Sequence, residues 1–242
     1  KSSLDPSHFL RHLKQIVFRL GRTDFDIFQQ QDAAEVLMFV LEELCGDSVY
    51  LHDLINVQVK NTLVCTSCYQ ENVSEESHRL LQLSVTKSVQ SSLDLFLQSE
   101  SLTNDNSVFC NYCNSLQQTI LEHEFCKLGR CLIIQLKRFI NINNGVSKNI
   151  QSLLSSPFLS VPVVVDSEIK INRKFNLKAV MNHTGDLNSG HYTAYINLPS
   201  SGWCHCNDSA VMPWKREFFS SSSSYIIFYV VILFYSIFLY NL

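Results

Sequence analysis

His191 follows Ser189-Gly190, and a little further along the chain runs Trp203-Cys-His-Cys-Asn207-Asp208. An imidazole works as a general base when a neighbouring amide or carboxylate fixes its tautomer and its orientation. Asn207 or Asp208 would do this for His191 if the two stretches form adjacent strands joined by a hairpin. Gly190 lets the backbone turn tightly and keeps the approach to the ring open. The competing use of such a pair is structural, a histidine satisfied by a polar neighbour. Two further histidines compete for the role: His183 closes a strand-like stretch and His205 stands between Cys204 and Cys206. A base needs a nucleophile to deprotonate, and the nine cysteines are the place to look for one.

Four of those cysteines form two Cys-x-x-Cys pairs, Cys65 with Cys68 and Cys110 with Cys113. Two intervening residues let both thiolates of a pair reach one ion from a tight knuckle. Two knuckles complete the tetrahedral four-sulfur shell that Zn²⁺ favours. A closed shell leaves no position for water, so the spacing predicts one structural zinc and not a catalytic one. A redox Cys-x-x-Cys is the alternative, although redox motifs do not normally come in matched pairs. Cys204-His-Cys206 is too closely spaced to put two cysteines on a second zinc. Cys45, Cys126 and Cys131 read as small apolar filler. Nothing in the chain calls for an organic cofactor.

The elements that must hold these residues follow from the apolar pattern. Residues 5–20 read as an amphipathic helix, with Asp5 as cap, Pro6 in the first turn, and Phe9, Leu10, Leu13, Ile16, Val17 and Leu20 on one face. Residues 31–44 read as a second helix ended by Gly46. After about residue 54 the texture alternates like strands: INVQVKNTLVC, HRLLQLSV, RCLIIQLKRF, FNLKAVMNH, HYTAYINL and SSYIIFYV. The expectation is an α+β chain, helical first, then an antiparallel sheet region carrying the cysteine module. With 242 residues, 46% of them hydrophobic and 17% charged, the chain can bury a core. A net charge of −3 gives no basic footprint for nucleic acid. The opening KSSLDPSHFLRHLK has no apolar h-region, and the odd cysteine count argues against a disulfide framework. Both point to a reducing compartment, cytoplasmic or nuclear.

Five separated stretches, in order, resemble the ubiquitin-specific protease family of cysteine deubiquitinases. FQQQDAAEVL at 28–37 is similar to its Gln-Gln-Asp-Ala-x-Glu box, and the two knuckles to its fingers-region zinc ribbon. CLIIQLKRF at 131–139 resembles its Leu-Lys-Arg-Phe strand, and NHTGDLNSGHYTAYI at 182–196 its histidine box. WCHCNDSAV followed by YIIFY resembles its closing hairpin and last strand. The resemblance implies a papain-like fold: thumb helices over 1–54, fingers over 55–125, palm over 126–229. It implies hydrolysis of the isopeptide or peptide bond at the C-terminal glycine of ubiquitin, so the partners would be ubiquitin and ubiquitinated proteins. His191 would be the general base, Asn207 the third triad member and Asp208 the neighbouring acidic position. Asp32 and Glu35 would meet arginines of the ubiquitin tail, which suits an acidic pair facing a basic peptide. The segment 183–190 would move over that tail on the hinges Gly185 and Gly190.

The sequence departs from the family twice. The family's nucleophile lies in a Gly-Asn-Thr-Cys type box well upstream of the Gln-Gln-Asp box, and none of the nine cysteines follows Gly-x-x. The expectation is a catalytic domain over 1–229 lacking its Cys box, with an incomplete thumb and no activity of its own. The alternatives are a non-catalytic, ubiquitin-binding pseudo-protease and a zinc-ribbon interaction module. The second departure is the tail, where YIIFYVVILFYSIFLYNL (225–242) carries no charge. Residues 230–242 are foreign to the family pattern. They read as a divergent terminus first and a membrane anchor second, and without such an anchor no membrane partner is expected.

Overall fold

The computed structural model describes residues 7–21, 30–142, 145–166, 169–186, 189–215 and 219–232. The chain divides into two compact units, residues 1–51 and 52–242.

The first unit is helical. α1 (Ser7–Arg19) and α2 (Ala33–Cys45) share a small core in which Val17 and Phe39 are buried, with Leu13, Ile16 and Val36 packed around them. The apolar stripe read along α1 is buried only in part, because Phe9, Leu10 and Leu20 are exposed. The expected cap and first-turn proline of α1, Asp5 and Pro6, lie outside the described residues. α2 begins two residues later than the pattern suggested because Asp32 is its N-cap. The Asp32 Oδ1 accepts from Ala34 N (2.6 Å) and Glu35 N (3.3 Å), satisfying amides that the first turn leaves without helical partners. Gly46, with φ of 44°, ends the helix by donating to the Glu42 carbonyl. A short helix, α3 (Val49–Ile55), leads into the second unit.

The second unit opens with β1 (Val57–Cys65), β2 (Glu71–His78), β3 (Leu81–Ser84), α4 (Val89–Phe96), β4 (Glu100–Leu102), β5 (Val108–Cys110), β6 (Ser115–Gln117) and β7 (Thr119–Leu128). There follow β8 (Cys131–Lys137), β9 (Phe139–Ile142), β10 (Gly145–Lys148), β11 (Leu153–Ser155), β12 (Phe158–Asp166) and β13 (Ile169–Gly185). The last strands are β14 (Gly190–Leu198), β15 (Gly202–Asn207), β16 (Ala210–Pro213), β17 (Phe219–Ser221) and β18 (Ser224–Val231).

Two larger sheets organise these strands. One is four-stranded in the order β2-β1-β7-β4. The other is eight-stranded, in the order β16-β15-β14-β13-β18-β8-β3, with β12 paired to β13. The six stretches that alternate in sequence all contain strands. The sheets are mixed, however, and not purely antiparallel as expected, because β3 pairs β8 in parallel, Leu81 opposite Ile134. α4 has no counterpart in the apolar pattern of the sequence. It is capped by a reciprocal pair of serines, Ser88 and Ser91, and buries Val89 and Leu93.

The core is built from strands buried on both faces. β8 and β18 lie side by side, and Ile134, Leu136, Ile226, Ile227 and Tyr229 are all fully buried. The YIIFY stretch is therefore a central strand, which keeps the start of the uncharged run out of any spanning helix. Residues 233–242 lie outside the described residues. Among the described residues, no helix is long and apolar enough to cross a membrane.

Between β8 and β9 sits Arg138, fully buried. Its guanidinium donates to the carbonyls of Asn149 (2.9 Å), Gln151 (3.0 Å), Ser221 (3.2 Å) and Ser224. Burial pushes its pKa down to about 10, so it stays charged at neutral pH. One side chain thereby ties the loops before β11 and around β17 to the central sheet.

Candidate functional site

His191 is the second residue of β14 and sits directly opposite Thr184 on β13. β14 returns through a short hairpin as β15, whose last residue is Asn207. The hairpin brings His191 Nε2 to 2.6 Å from Asn207 Oδ1. An amide oxygen only accepts, so Nε2 carries the proton and the neutral ring leaves Nδ1 bare as a base. Asp208 follows in a left-handed conformation, φ 48°, which turns its side chain into solvent. Its Oδ2 is 4.0 Å from the same Nε2, and its side chain is 80% exposed. The pairing foreseen between the two stretches is present, with Asn207 in direct contact and Asp208 at longer range. Among the described residues, no cysteine thiol lies within hydrogen-bonding distance of His191.

The competing histidines have structural surroundings. His183 is buried, and its ring packs against Tyr192 (4.7 Å between centroids) and Phe139 (5.8 Å). His205 stacks on Tyr195 at 4.6 Å. Cys204 and Cys206 contribute to no metal-like cluster among the described residues.

The turn before His191 depends on two glycines. Gly185 pairs with Gly190 at the end of the β13–β14 ladder, and Gly185 has φ of 101°. A Cβ on Gly190 would overlap the His183 ring and the Thr184 carbonyl, and one on Gly185 would overlap Ser189 backbone. Close approach of backbone to backbone is thus the physical demand at both positions. Asp186 closes the turn: its amide donates to the Ser189 carbonyl, and its Oδ1 accepts from Ser189 N, both at 2.9 Å.

The four cysteines Cys65, Cys68, Cys110 and Cys113 converge, with their sulfurs all within 4.8 Å of one another. Cys65 ends β1 and Cys110 ends β5, and each knuckle is turned by a left-handed residue after its second cysteine, Tyr69 (φ 59°) and Asn114 (φ 53°). Cys65 and Cys113 sulfurs are 4.0 Å apart, and those of Cys68 and Cys110 3.5 Å. A tetrahedral zinc with Zn–S of about 2.3 Å needs sulfurs roughly 3.8 Å apart, so the set fits such an ion. The thiols also disturb one another's ionisation. The Cys68 backbone N–H draws Cys65 down to about 7, while the Cys68 thiol and burial push Cys113 up to about 12. Such crowding of thiols is relieved when a cation takes the place of their protons.

Asp32 and Glu35, the acidic pair expected from the resemblance to meet ubiquitin, lie in the first unit at the start of α2, where Asp32 is the N-cap. Two cations that sequence reasoning passed over belong to the region of His191: Arg138 and Lys148. The Lys148 Nζ donates to the His183 and Gly185 carbonyls, both at 2.8 Å. Arg138 was visible as a charge closing the apolar run of β8. Lys148 had no comparable signal.

Comparison with known proteins gives a family and a fold for the chain. The family described as ubiquitin carboxyl-terminal hydrolase matches residues 1–229. Ubiquitin carboxyl-terminal hydrolase 8 of Saccharomyces cerevisiae is 25% identical over 237 residues, covering 84% of this chain and 50% of its own length. Ubiquitin carboxyl-terminal hydrolase 2 of Gallus gallus is 26% identical over 270 residues, covering 94% of this chain and 74% of its own. The chain thus spans about half the length of the yeast relative. Among solved structures, it resembles the SAGA Ubp8/Sgf11/Sus1/Sgf73 DUB module bound to ubiquitin aldehyde, with TM-score 0.74, 23% identity, and coverage of 85% of this chain and 50% of that one. A second resemblance is to a variant of the same SAGA DUB module bound to monoubiquitin, with TM-score 0.73, 24% identity, and coverage of 90% and 52%. At these identities the likeness establishes a shared fold, one of mixed sheets with few helices.

Proposed function

The chain belongs to the ubiquitin carboxyl-terminal hydrolase family, and from that premise we propose that it supplies the base and the ubiquitin-binding surface of a cysteine-type deubiquitinase. The observation that carries this reading is the 2.6 Å contact between His191 Nε2 and Asn207 Oδ1. His191 Nδ1 takes the proton of a cysteine thiol. The thiolate attacks the carbonyl carbon of ubiquitin's C-terminal glycine, and the proton passes from His191 to the departing amine. Water, deprotonated by the same nitrogen, then hydrolyses the thioester and restores the thiol. Asn207 holds the Nε2–H tautomer throughout. Asp208, in solvent at 4.0 Å, favours the imidazolium that forms between the two proton transfers.

The attacking cysteine belongs to a Cys box outside this chain. In support, no described thiol reaches His191 and the four clustered cysteines are suited to a metal. Cys65, Cys68, Cys110 and Cys113 would hold one structural zinc, which would tie the end of β1 to the β5–β6 hairpin. Asp32 and Glu35 engage the basic tail of ubiquitin. The same lack of a thiol beside His191 favours a second reading, in which the chain binds ubiquitin without cleaving it.

The test is to incubate the purified chain with ubiquitin carrying a C-terminal thiol-reactive electrophile and to read the mass. Saturable, reversible ubiquitin binding without an adduct is the expected result. An adduct places the nucleophile among the nine cysteines and overturns its assignment to another segment. Loss of binding overturns the ubiquitin reading itself.

A further inference from the structure

β13 outruns its neighbour on one side. Its ladder with β18 ends at the pair Asn182–Ser224, followed by a bond from His183 N to the Ser223 carbonyl (2.8 Å). Beyond that point β13 continues through Thr184 and Gly185, paired on its other side to β14 and therefore to His191. Carbonyls two residues apart point to the same edge of a strand, where a neighbouring strand would normally supply the donors. Here Lys148, the last residue of β10, takes that neighbour's place. Its Nζ donates to the carbonyls of His183 and Gly185, both at 2.8 Å, and stands 3.2 Å from His183 Nδ1.

These contacts converge on the residues that carry His191. The two carbonyls bracket Thr184, the direct cross-strand partner of His191, and Thr184 Oγ1 donates to the His191 carbonyl at 3.2 Å. Nδ1 of His183 faces an ammonium, so the proton of that neutral ring sits on Nε2. That end of the ring fills the space a Cβ on Gly190 would need, immediately before His191. The ammonium is held over the Phe139 ring, 5.6 Å from its centroid. Burial lowers the Lys148 pKa and Arg138 pushes the same way, while Asp186 opposes them, so the cation is partly desolvated and its hydrogen bonds are strengthened.

We propose that Lys148 is a positioning residue for His191: by clamping the His183 and Gly185 carbonyls it fixes the end of β13, and through the Thr184 and Gly190 pairings it sets the His191 ring against Asn207. The proposal rests on the reading of His191 as the base, and its test separates the two.

In the chain labelled with ¹⁵N-histidine, long-range ¹H–¹⁵N spectra recorded well above the ordinary histidine pKa of about 6.5 report the tautomer of each ring. Wild-type His191 is expected in the Nε2–H form alone. A wild-type ring in the other tautomer would overturn the His191–Asn207 reading, independently of Lys148. In Lys148→Met, His191 is expected to populate both tautomers, and Lys148→Arg, which keeps a cation with several donors, is expected to restore the single form. His191 unchanged in Lys148→Met, even with a lowered Tm, reduces Lys148 to a structural residue and overturns the proposal. The same mixture in Lys148→Arg as in Lys148→Met also overturns it. Should the methionine variant fail to fold, Lys148→Gln is read in the same way.

Discussion

His191 Nε2 meets Asn207 Oδ1 at 2.6 Å, whereas the Asp208 carboxylate, one residue on, stays 4.0 Å away. The two candidates for the third position are therefore separated by geometry. In a chain that also carries the cysteine nucleophile, His191→Ala is expected to lower kcat by about 10²- to 10⁴-fold, the usual worth of a general base, and to leave ubiquitin affinity near wild type. Asn207→Ala is expected to cost more than Asp208→Ala. Steady-state cleavage of a ubiquitin C-terminal amide ranks the three. A larger loss from Asp208→Ala would reverse the assignment.

Replacing Cys65 and Cys110 with serine takes one thiolate from each knuckle. Elemental analysis of the purified chain should fall from one zinc per chain to none. Hydrogen exchange should rise at the ends of β1 and β7, near the Cys65–Thr119 pair, and stay low in β8 and β18. Metal content unchanged in the double variant would refute the site.

Gly190→Ala places a methyl group where the His183 ring and the Thr184 carbonyl already sit. The expected cost is about 1–3 kcal/mol, measured by denaturant unfolding, because one of the two obstacles is backbone and cannot rotate away. Gly202→Ala makes the control. A Cβ at Gly202 meets nothing within 4 Å, so only the strain of its φ of 70° is added.

Glu124 on β7 is held between Lys170 on β13 (2.6 Å) and Lys60 on β1 (3.4 Å), linking the two larger sheets. The hydrogen bond from Lys170, assisted by Lys60, lowers its pKa below the ordinary glutamate value. A carboxylate depressed in the folded state contributes stability above its unfolded pKa of about 4.3 and loses it as the pH falls through the folded value. Glu124→Gln should therefore lower Tm at neutral pH and flatten the acid limb of the Tm–pH curve. Parallel acid limbs for the two proteins would remove Glu124 from the linkage.

Much of this arrangement was legible in the sequence where side chains do the work. Alternation marked β1 through Val57 and Val59, the apolar run marked β8, and the paired cysteines marked a four-sulfur cluster. His191 and Asn207 were legible because the glycine before one and the tryptophan before the other punctuate a hairpin. The hidden parts depend on backbone. Arg138 and Lys148 act on carbonyls, which every residue has, so no motif announces their targets. α4 escaped because VQSSLDLF is short and half polar, and its cap pairs serine with serine in place of the usual Glu or Gln. The parallel β3–β8 pairing escaped because alternation reveals which face of a strand is buried and says nothing of its direction.

The position of β18 also bears on how the chain is made. It lies between β13 and β8 at the centre of the eight-stranded sheet, yet among the described residues it is the last strand of that sheet to be synthesised. Until Val231 clears the ribosome, β8 and β13 each wait with an unpaired edge, and Ile133 and Ile134 lack their cross-strand neighbours Phe228 and Ile227. The sheet must therefore close after translation of this region, by inserting its final strand into a gap. During that interval the nascent chain presents two open strand edges, the surfaces most prone to pairing with the wrong strand.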